Sequence, residues 1–335
     1  MAAYTTIDNP ELYFQTKIYT GDGNSGRALT LPGDTDMAPN LVWVKQRNTT
    51  RNQILANSVS GTSKNLYPDL PDAEDTTGGP ITAFGSDGFT VSDSANANED
   101  SGTYVAWCWN ESATAGFDIV SYTGNGSART ISHSTGGTNP LGLIICKSRG
   151  TNDNWATYHS SLGGDFNMTL DSNEAKLDTN TPWNDTDATA SVFSVLSSGR
   201  TNANTQTYMA FCFAPVQGYS KFGTYTGNGN ADGTFVYTGF RPAWIMIKNS
   251  GATASWVMYD NKRYTYNKGG TAATGLRADT NAAEDASEDG ISFLSNGFKL
   301  MATGTPTNSS GGTYVYMAFA EQPFVNSNGV PCNAR

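Results

Sequence analysis

The stretch GTYVAWCW, Gly102–Trp109, decides the reading of this chain. In an extended strand, Val105, Trp107 and Trp109 point to one face, and Tyr104, Ala106 and Cys108 to the other. Large side chains opposite small ones suit a strand packed against a second sheet. The stretch returns as QTYMAFCF (Gln206–Phe213) and GTYVYMAF (Gly312–Phe319). Met209, Phe211 and Phe213, then Val315, Met317 and Phe319, occupy the large-residue face.

Two further landmarks recur in the same order. YTGDGN at Tyr19 reappears as YTGNGS at Tyr122 and YTGNGN at Tyr225. An apolar strand ending in lysine appears as NLVWVKQR (Lys45), GLIICKSR (Lys147) and AWIMIKNS (Lys248). Each repeat is about 100 residues, enough for its own core. It is far longer than a solenoid or propeller unit. The expected fold is all-β, with three tandem homologous antiparallel β-sandwich domains of jelly-roll or lectin-like type. They span 1–112, 113–216 and 217–322, joined through Asn110–Gly116 and Ala214–Ser220 and followed by a tail, 323–335.

The apolar strands LVWV, LIIC and WIMI should be central, each entered after a proline (Pro39, Pro140, Pro242). FGSDGFTV (Phe84–Val91) and FLSNGFKL (Phe293–Leu300) place Asp-Gly and Asn-Gly between apolar runs, which predicts two-residue type I′ hairpins. In the second repeat this element has decayed to VFSVLSSGR. The first and last strands of each repeat should pair, bringing its ends together like beads on a string. Packing of the three units about an internal threefold and a true trimer both stay open.

Among 335 residues only 15% are charged and 11% are aromatic, so small polar residues fill the space between regularly placed rings. That is the composition of short strands and tight turns rather than of a disordered chain. The net charge of -10 argues against nucleic-acid binding. Without a long apolar run, membrane insertion is not expected. The N-terminal residues do not read as a secretory leader, so synthesis is expected in the cytoplasm. Cys108, Cys146 and Cys212 lie in apolar runs and read as buried reduced thiols.

Gly21–Gly26 spells G-x-G-x-x-G, a pattern of dinucleotide cradles. RALTLPG follows it, with no helical period, and the other two copies drop the last glycine. It reads as a tight hairpin turn. Asp22 and Asn24 are candidate calcium ligands, weighed against solvated loop residues. The repeated Ala73-Glu74-Asp75 and Ala283-Glu284-Asp285 belong to the same weighing, with WNDTD nearby in the second repeat. His133 and His159 do not recur between repeats and no G-x-S-x-G elbow exists, so no catalytic residue or cofactor is expected. Trp155 and Trp256, each eight residues after the repeat lysine, read as core. Trp183, Tyr264 and Tyr266 are unit-specific and are the candidates for stacking on sugar rings.

YTGNG, then P-x-x-V-W-V-K-x-R, D-x-x-R, SDGFTV and TYVAWCW together resemble a repeat domain of virion structural proteins, tail-fibre-like and others, of marine phages of the cyanophage type. The likeness runs over about residues 11–322. The third repeat supplies Asp260-x-x-Arg263, where the first has Asn57 and Ser60 and the second has His159 and Leu162. An ion pair found in one repeat alone reads as structural. The resemblance implies a non-enzymatic particle component located in the virion, as a tail fibre or appendage or as a capsid decoration. Its expected partners are other virion proteins and copies of itself. The alternative is an adhesin, a receptor-binding protein for host-surface glycans.

Overall fold

A computed structural model describes residues 4–263, 275–285 and 290–332. The chain is all-β, 41% strand and 2% helix, so sheets alone build its layers. In the first repeat the strands are β1 (Phe14–Thr20), β2 (Arg27–Thr30), β3 (Leu41–Gln46), β4 (Ile54–Asn57), β5 (Ile81–Gly85), β6 (Gly88–Val91) and β7 (Thr103–Trp109). They form one antiparallel sheet in the order β1-β7-β3-β4 and a smaller one in the order β2-β6-β5.

The second repeat contains β8 (Phe117–Thr123), β9 (Arg129–Ser132), β10 (Leu143–Ser148), β11 (Ala156–His159), β12 (Phe166–Thr169), β13 (Leu177–Asp178), β14 (Val192–Val195) and β15 (Thr207–Phe213). Its sheets are β13-β12-β11-β10-β15-β8 and β14-β9. The third contains β16 (Ser220–Thr226), β17 (Phe235–Tyr237), β18 (Phe240–Asn249), β19 (Val257–Asp260), β20 (Leu276–Arg277), β21 (Ile291–Leu294), β22 (Gly297–Leu300) and β23 (Thr313–Pro323). Its sheets are β16-β23-β18-β19-β20 and β17-β22-β21.

First and last strands do pair, with Tyr19 opposite Tyr104, Tyr122 opposite Tyr208, and Tyr225 opposite Tyr314. Each pair of rings stacks, with centroids 5.0, 5.2 and 4.9 Å apart. The lysine-ended strands β3, β10 and β18 lie inside their sheets. Pro39 and Pro140 precede their strands. Pro242 instead lies within β18, at a register shift against β23. There an irregularity accommodates the missing N–H.

The FGSDGFTV and FLSNGFKL hairpins form, but one residue out of the expected frame. Gly85 pairs with Gly88 and Leu294 with Gly297, so the loops are Ser86-Asp87 and Ser295-Asn296. None of these four has positive φ, which rules out type I′. The glycines serve close approach instead. A Cβ on Gly88 or Gly297 would lie 2.0 Å from the carbonyl oxygen of Leu29 or Val236 on the adjacent strand.

The YTG stretch is not a hairpin. It carries the chain from the larger sheet to the smaller, from β1 to β2, β8 to β9 and β16 to β17.

Within β7 the alternation sorts two cores. Tyr104, Ala106 and Cys108 line a cluster private to the first repeat, between its two sheets. The second repeat has its own, around Tyr208, Ala210 and Cys212. The large residues face elsewhere. Trp107 and Trp109 join Phe211, Phe213, Trp244 and Phe319 in one cluster spanning all three repeats. Trp109 meets Trp244 edge to face at 5.5 Å, and Phe213 meets Phe319 at 5.8 Å. The repeats are therefore fused through a common core rather than strung apart like beads. Fusion buries these six large aromatics, which three separate sandwiches would leave in water.

Candidate functional site

The polar residues marked by the repeat pattern sit at two places, the sheet-to-sheet corner and the seam between repeats. At the corner, Gly21, Gly124 and Gly227 have no room for a side chain. A Cβ would lie 2.0, 2.1 and 2.3 Å from the carbonyls of Glu99, Ala203 and Ser309. Gly23, Gly126 and Gly229 take φ of 69, 70 and 65°, the left-handed region that favours glycine.

A buried asparagine fills the corner: Asn98, Asn202 or Asn308. Each accepts from the backbone N–H of Asp22, Asn125 or Asn228. Each donates to that residue's side chain and to the carbonyl of Asn24, Ser127 or Asn230. The signal for these asparagines was their constant place six residues before Tyr104, Tyr208 and Tyr314. The same three tyrosines donate to Ala95, Gly199 and Thr305 and lock the loop.

The candidate calcium ligands Asp22 and Asn24 belong to this corner. Asp22 Oδ1 accepts from the Asn24 N–H at 3.0 Å and from Asn98 Nδ2 at 2.9 Å. The Asn24 bond, then Asn98, holds its carboxyl below the usual range. Neutral Asn125 and Asn228 make the same bonds in the sister repeats, so the turn needs no charge at this position. Among the described residues no three His, Cys, Asp or Glu side chains gather as a metal site.

The seam is built from the lysine strand onward. Lys45, Lys147 and Lys248 are buried. Lys45 Nζ donates to Arg51 and Asn281, Lys147 to Ser148 and Thr151, and Lys248 to Asn249 and Asn173. Burial lowers each ammonium to about 8. Asp69, Asp171 and Asp279 stand near them, and burial raises all three carboxyls, Asp69 to about 6. Perturbed lysines mark many catalytic sites, but structural networks shift them too. Here each Nζ is spent on backbone carbonyls, in two cases one from a neighbouring repeat.

Eight residues beyond each lysine, a side chain crosses to another repeat. Trp155 Nε1 donates to Tyr67 and Leu70 of the first repeat, and Trp256 Nε1 to Thr169 of the second. Gln53 Nε2 donates to Arg277, Ala278 and Thr280 of the third. Seams thus run between repeats one and two, two and three, and three and one, closing a ring. Trp155 and Trp256 are buried, as core residues should be, and Gln53 is their equally buried amide counterpart.

The Ala-Glu-Asp segments clamp the same seams. The Glu74 N–H donates to the Arg149 carbonyl and the Glu284 N–H to that of Arg47. Their carboxylates pair with the same arginines at 2.7 and 2.8 Å. At the remaining seam, Lys176 N–H meets the Ser250 carbonyl with no ion pair between the two side chains. The counterpart in the second repeat is therefore Lys176 and not WNDTD.

Asp260 and Arg263 form a fully buried ion pair at 2.6 Å, and Arg263 also reaches Glu284 at 2.7 Å. Asp260 Oδ2 accepts from Trp107 Nε1 of the first repeat at 3.0 Å, so the pair, which lies within the third repeat, is tied across a seam by that bond. His159, at the same place in the second repeat, has Nε2 3.1 Å from the Tyr316 carbonyl of the third. Burial drops its pKa to about 4. His133 contacts Thr135 and Thr189 within its own repeat. Cys108, Cys146 and Cys212 are buried and free, and burial pushes their thiols up, which makes them poor nucleophiles.

Of the sugar-stacking candidates, Trp183 is 1% exposed and is corrected to core. Its Nε1 donates to Asn167, and its ring packs edge-on against Tyr158 and Phe193. The bulky indole belongs to the repeat's private core, where the small sheet has two strands among the described residues. Tyr264 and Tyr266 lie outside the described residues. No sequence motif singles out Phe235 and Tyr237, both 46% exposed on the same face of β17. Comparison of the repeats would have found them, since the first has Ala28 and Thr30 there, and the second Thr130 and Ser132.

The molecule is thus an all-β protein whose repeat-marking polar residues are spent on holding sheet corners and closing seams. It belongs to the family described as domain of unknown function DUF7483, which matches residues 9–323. That match runs through all three repeats and ends with the last residue of β23. No curated protein matches the chain.

Proposed function

We propose that this chain is a non-enzymatic structural protein of a phage particle, a tail appendage or capsid decoration component. It is built from three homologous β-sandwich domains fused into one body. The observation that carries this reading is the closed ring of seams. The residues that would otherwise suggest chemistry are fasteners within it: the buried Lys45, Lys147, Lys248 and Asp260, the buried Arg263 side chain, and the partly buried Glu284. Such a ring is a rigid block, and the resemblance of its landmarks to phage virion repeats supplies the setting.

A ring with an internal threefold presents three similar surfaces from one chain. One copy can therefore serve where other proteins supply a trimer. Quantitative mass spectrometry of purified particles tests this. The expected result is the chain in the virion at one copy per threefold position, or a fixed multiple of that. Absence from particles refutes the proposal.

A further inference from the structure

We infer that the outer face of the small sheet in the third repeat binds an acidic polysaccharide, with Phe235 and Tyr237 as the stacking platform and Lys221 and Lys299 as the cations. This goes beyond the particle role and does not depend on it. Six large hydrophobic side chains are conspicuously exposed among the described residues, and two of them are Phe235 and Tyr237. They stand at alternate positions of edge strand β17, their Cα atoms about 7 Å apart, so their side chains share one side of the sheet. Isolated exposed apolar residues need no explanation, but a pair on one face does.

The neighbours shape the platform. Tyr237 lies opposite Gly297, so no side chain covers that flank of its ring. The Tyr4 hydroxyl, anchored to the Gly239 carbonyl at 2.8 Å, meets the Tyr237 hydroxyl at 3.3 Å and holds the ring in place. A platform fixed in advance loses little entropy on binding. Flat rings of this kind stack on the apolar CH faces of pyranoses.

The cations select the charge of the sugar. Lys221 Nζ donates to the Tyr237 carbonyl at 2.7 Å and lies 5.2 Å from the centre of its ring. Among the described residues no carboxylate pairs with it, although the chain carries ten more acids than bases (30 − 20). Lys299 stands directly opposite Phe235 on β22, and among the described residues its ion-pair partner is the highly exposed Asp232. Carboxylate or sulfate groups along a sugar chain complement this pair. The protein as a whole repels polyanions, so retention by one requires a specific face.

Affinity electrophoresis in gels containing alginate, a polyuronate, or neutral dextran tests the inference. The expected result is saturable retardation of the full chain by alginate and none by dextran. Replacing the pair with the residues of the first repeat, Phe235→Ala with Tyr237→Thr, should weaken it at least tenfold. Lys221→Gln should weaken it several-fold. Thermal unfolding should stay at the wild-type midpoint in the paired variant, because both rings are half exposed. No retardation by alginate overturns the inference, as does retardation undiminished in the paired variant. Equal retardation by dextran overturns the choice of an acidic ligand. Particle stoichiometry is unchanged in every case, so failure here leaves the particle proposal standing.

Discussion

Replacing Trp107 with Ala should loosen the third repeat although Trp107 belongs to the first. Its side chain is fully buried in the common core, 6.1 Å from the Trp244 ring. Its Nε1 donates to Asp260 at 3.0 Å, and the Arg263 guanidinium lies 5.6 Å from its ring centre. Truncating a buried tryptophan costs about 3–5 kcal/mol. A hydrogen bond to a charged group adds about 1.5–3 kcal/mol. The two overlap, and about 5 kcal/mol is the expected loss. Against a total of about 5–15 kcal/mol for a typical fold, that is a large fraction. Urea denaturation measures it. Amide exchange read by mass spectrometry locates it, with faster exchange expected in β18 and β19 as well as β7. Phe89→Ala, in the private core of the first repeat, should leave β18 and β19 protected below the unfolding transition. If Trp107→Ala accelerates exchange only within residues 4–112, the common core does not couple the repeats and the reasoning fails.

The buried His159 makes stability fall in acid. Its folded-state pKa of about 4 lies below the ordinary 6.5, so between these values the unfolded chain binds more protons. The contribution is whole above pH 6.5 and about 3 kcal/mol smaller near pH 4. His159→Asn, which installs the residue of the first repeat, should flatten that part of the profile in denaturant titrations. Arg149→Ser leaves the nearly buried Glu74 carboxylate unpaired and should cost about 3 kcal/mol. Adding Glu74→Lys recreates the Lys176–Ser250 seam, and recovery of most of the loss is expected in the same assay. Gly124→Ala puts a methyl 2.1 Å from the Ala203 carbonyl and should lower stability by about 2 kcal/mol or more. Gly137→Ala, with its nearest neighbour at 3.6 Å, should shift the thermal midpoint by almost nothing.

The sequence by itself determined the all-β class, the threefold repetition, the central lysine strands and the pairing of first with last strands. These follow from period-two patterning and from landmarks read along the chain, which need no knowledge of distant neighbours. It also marked the residues that matter at the corner, Gly21 and Gly23 with their copies, but assigned them to a hairpin. Glycine spacing reports that a backbone must bend or approach closely, not which sheet it enters next. Only the tertiary structure decided where the large face of GTYVAWCW points. Alternation shows that Trp107 and Trp109 share a side; whether that side meets a second sheet or two other repeats depends on closure of the ring. The roles of Gln53, Glu74, Arg149 and Lys176 were hidden for the same reason. Each bonds across a seam to a residue 74 or more positions away, in another copy of the repeat, where local reading does not look.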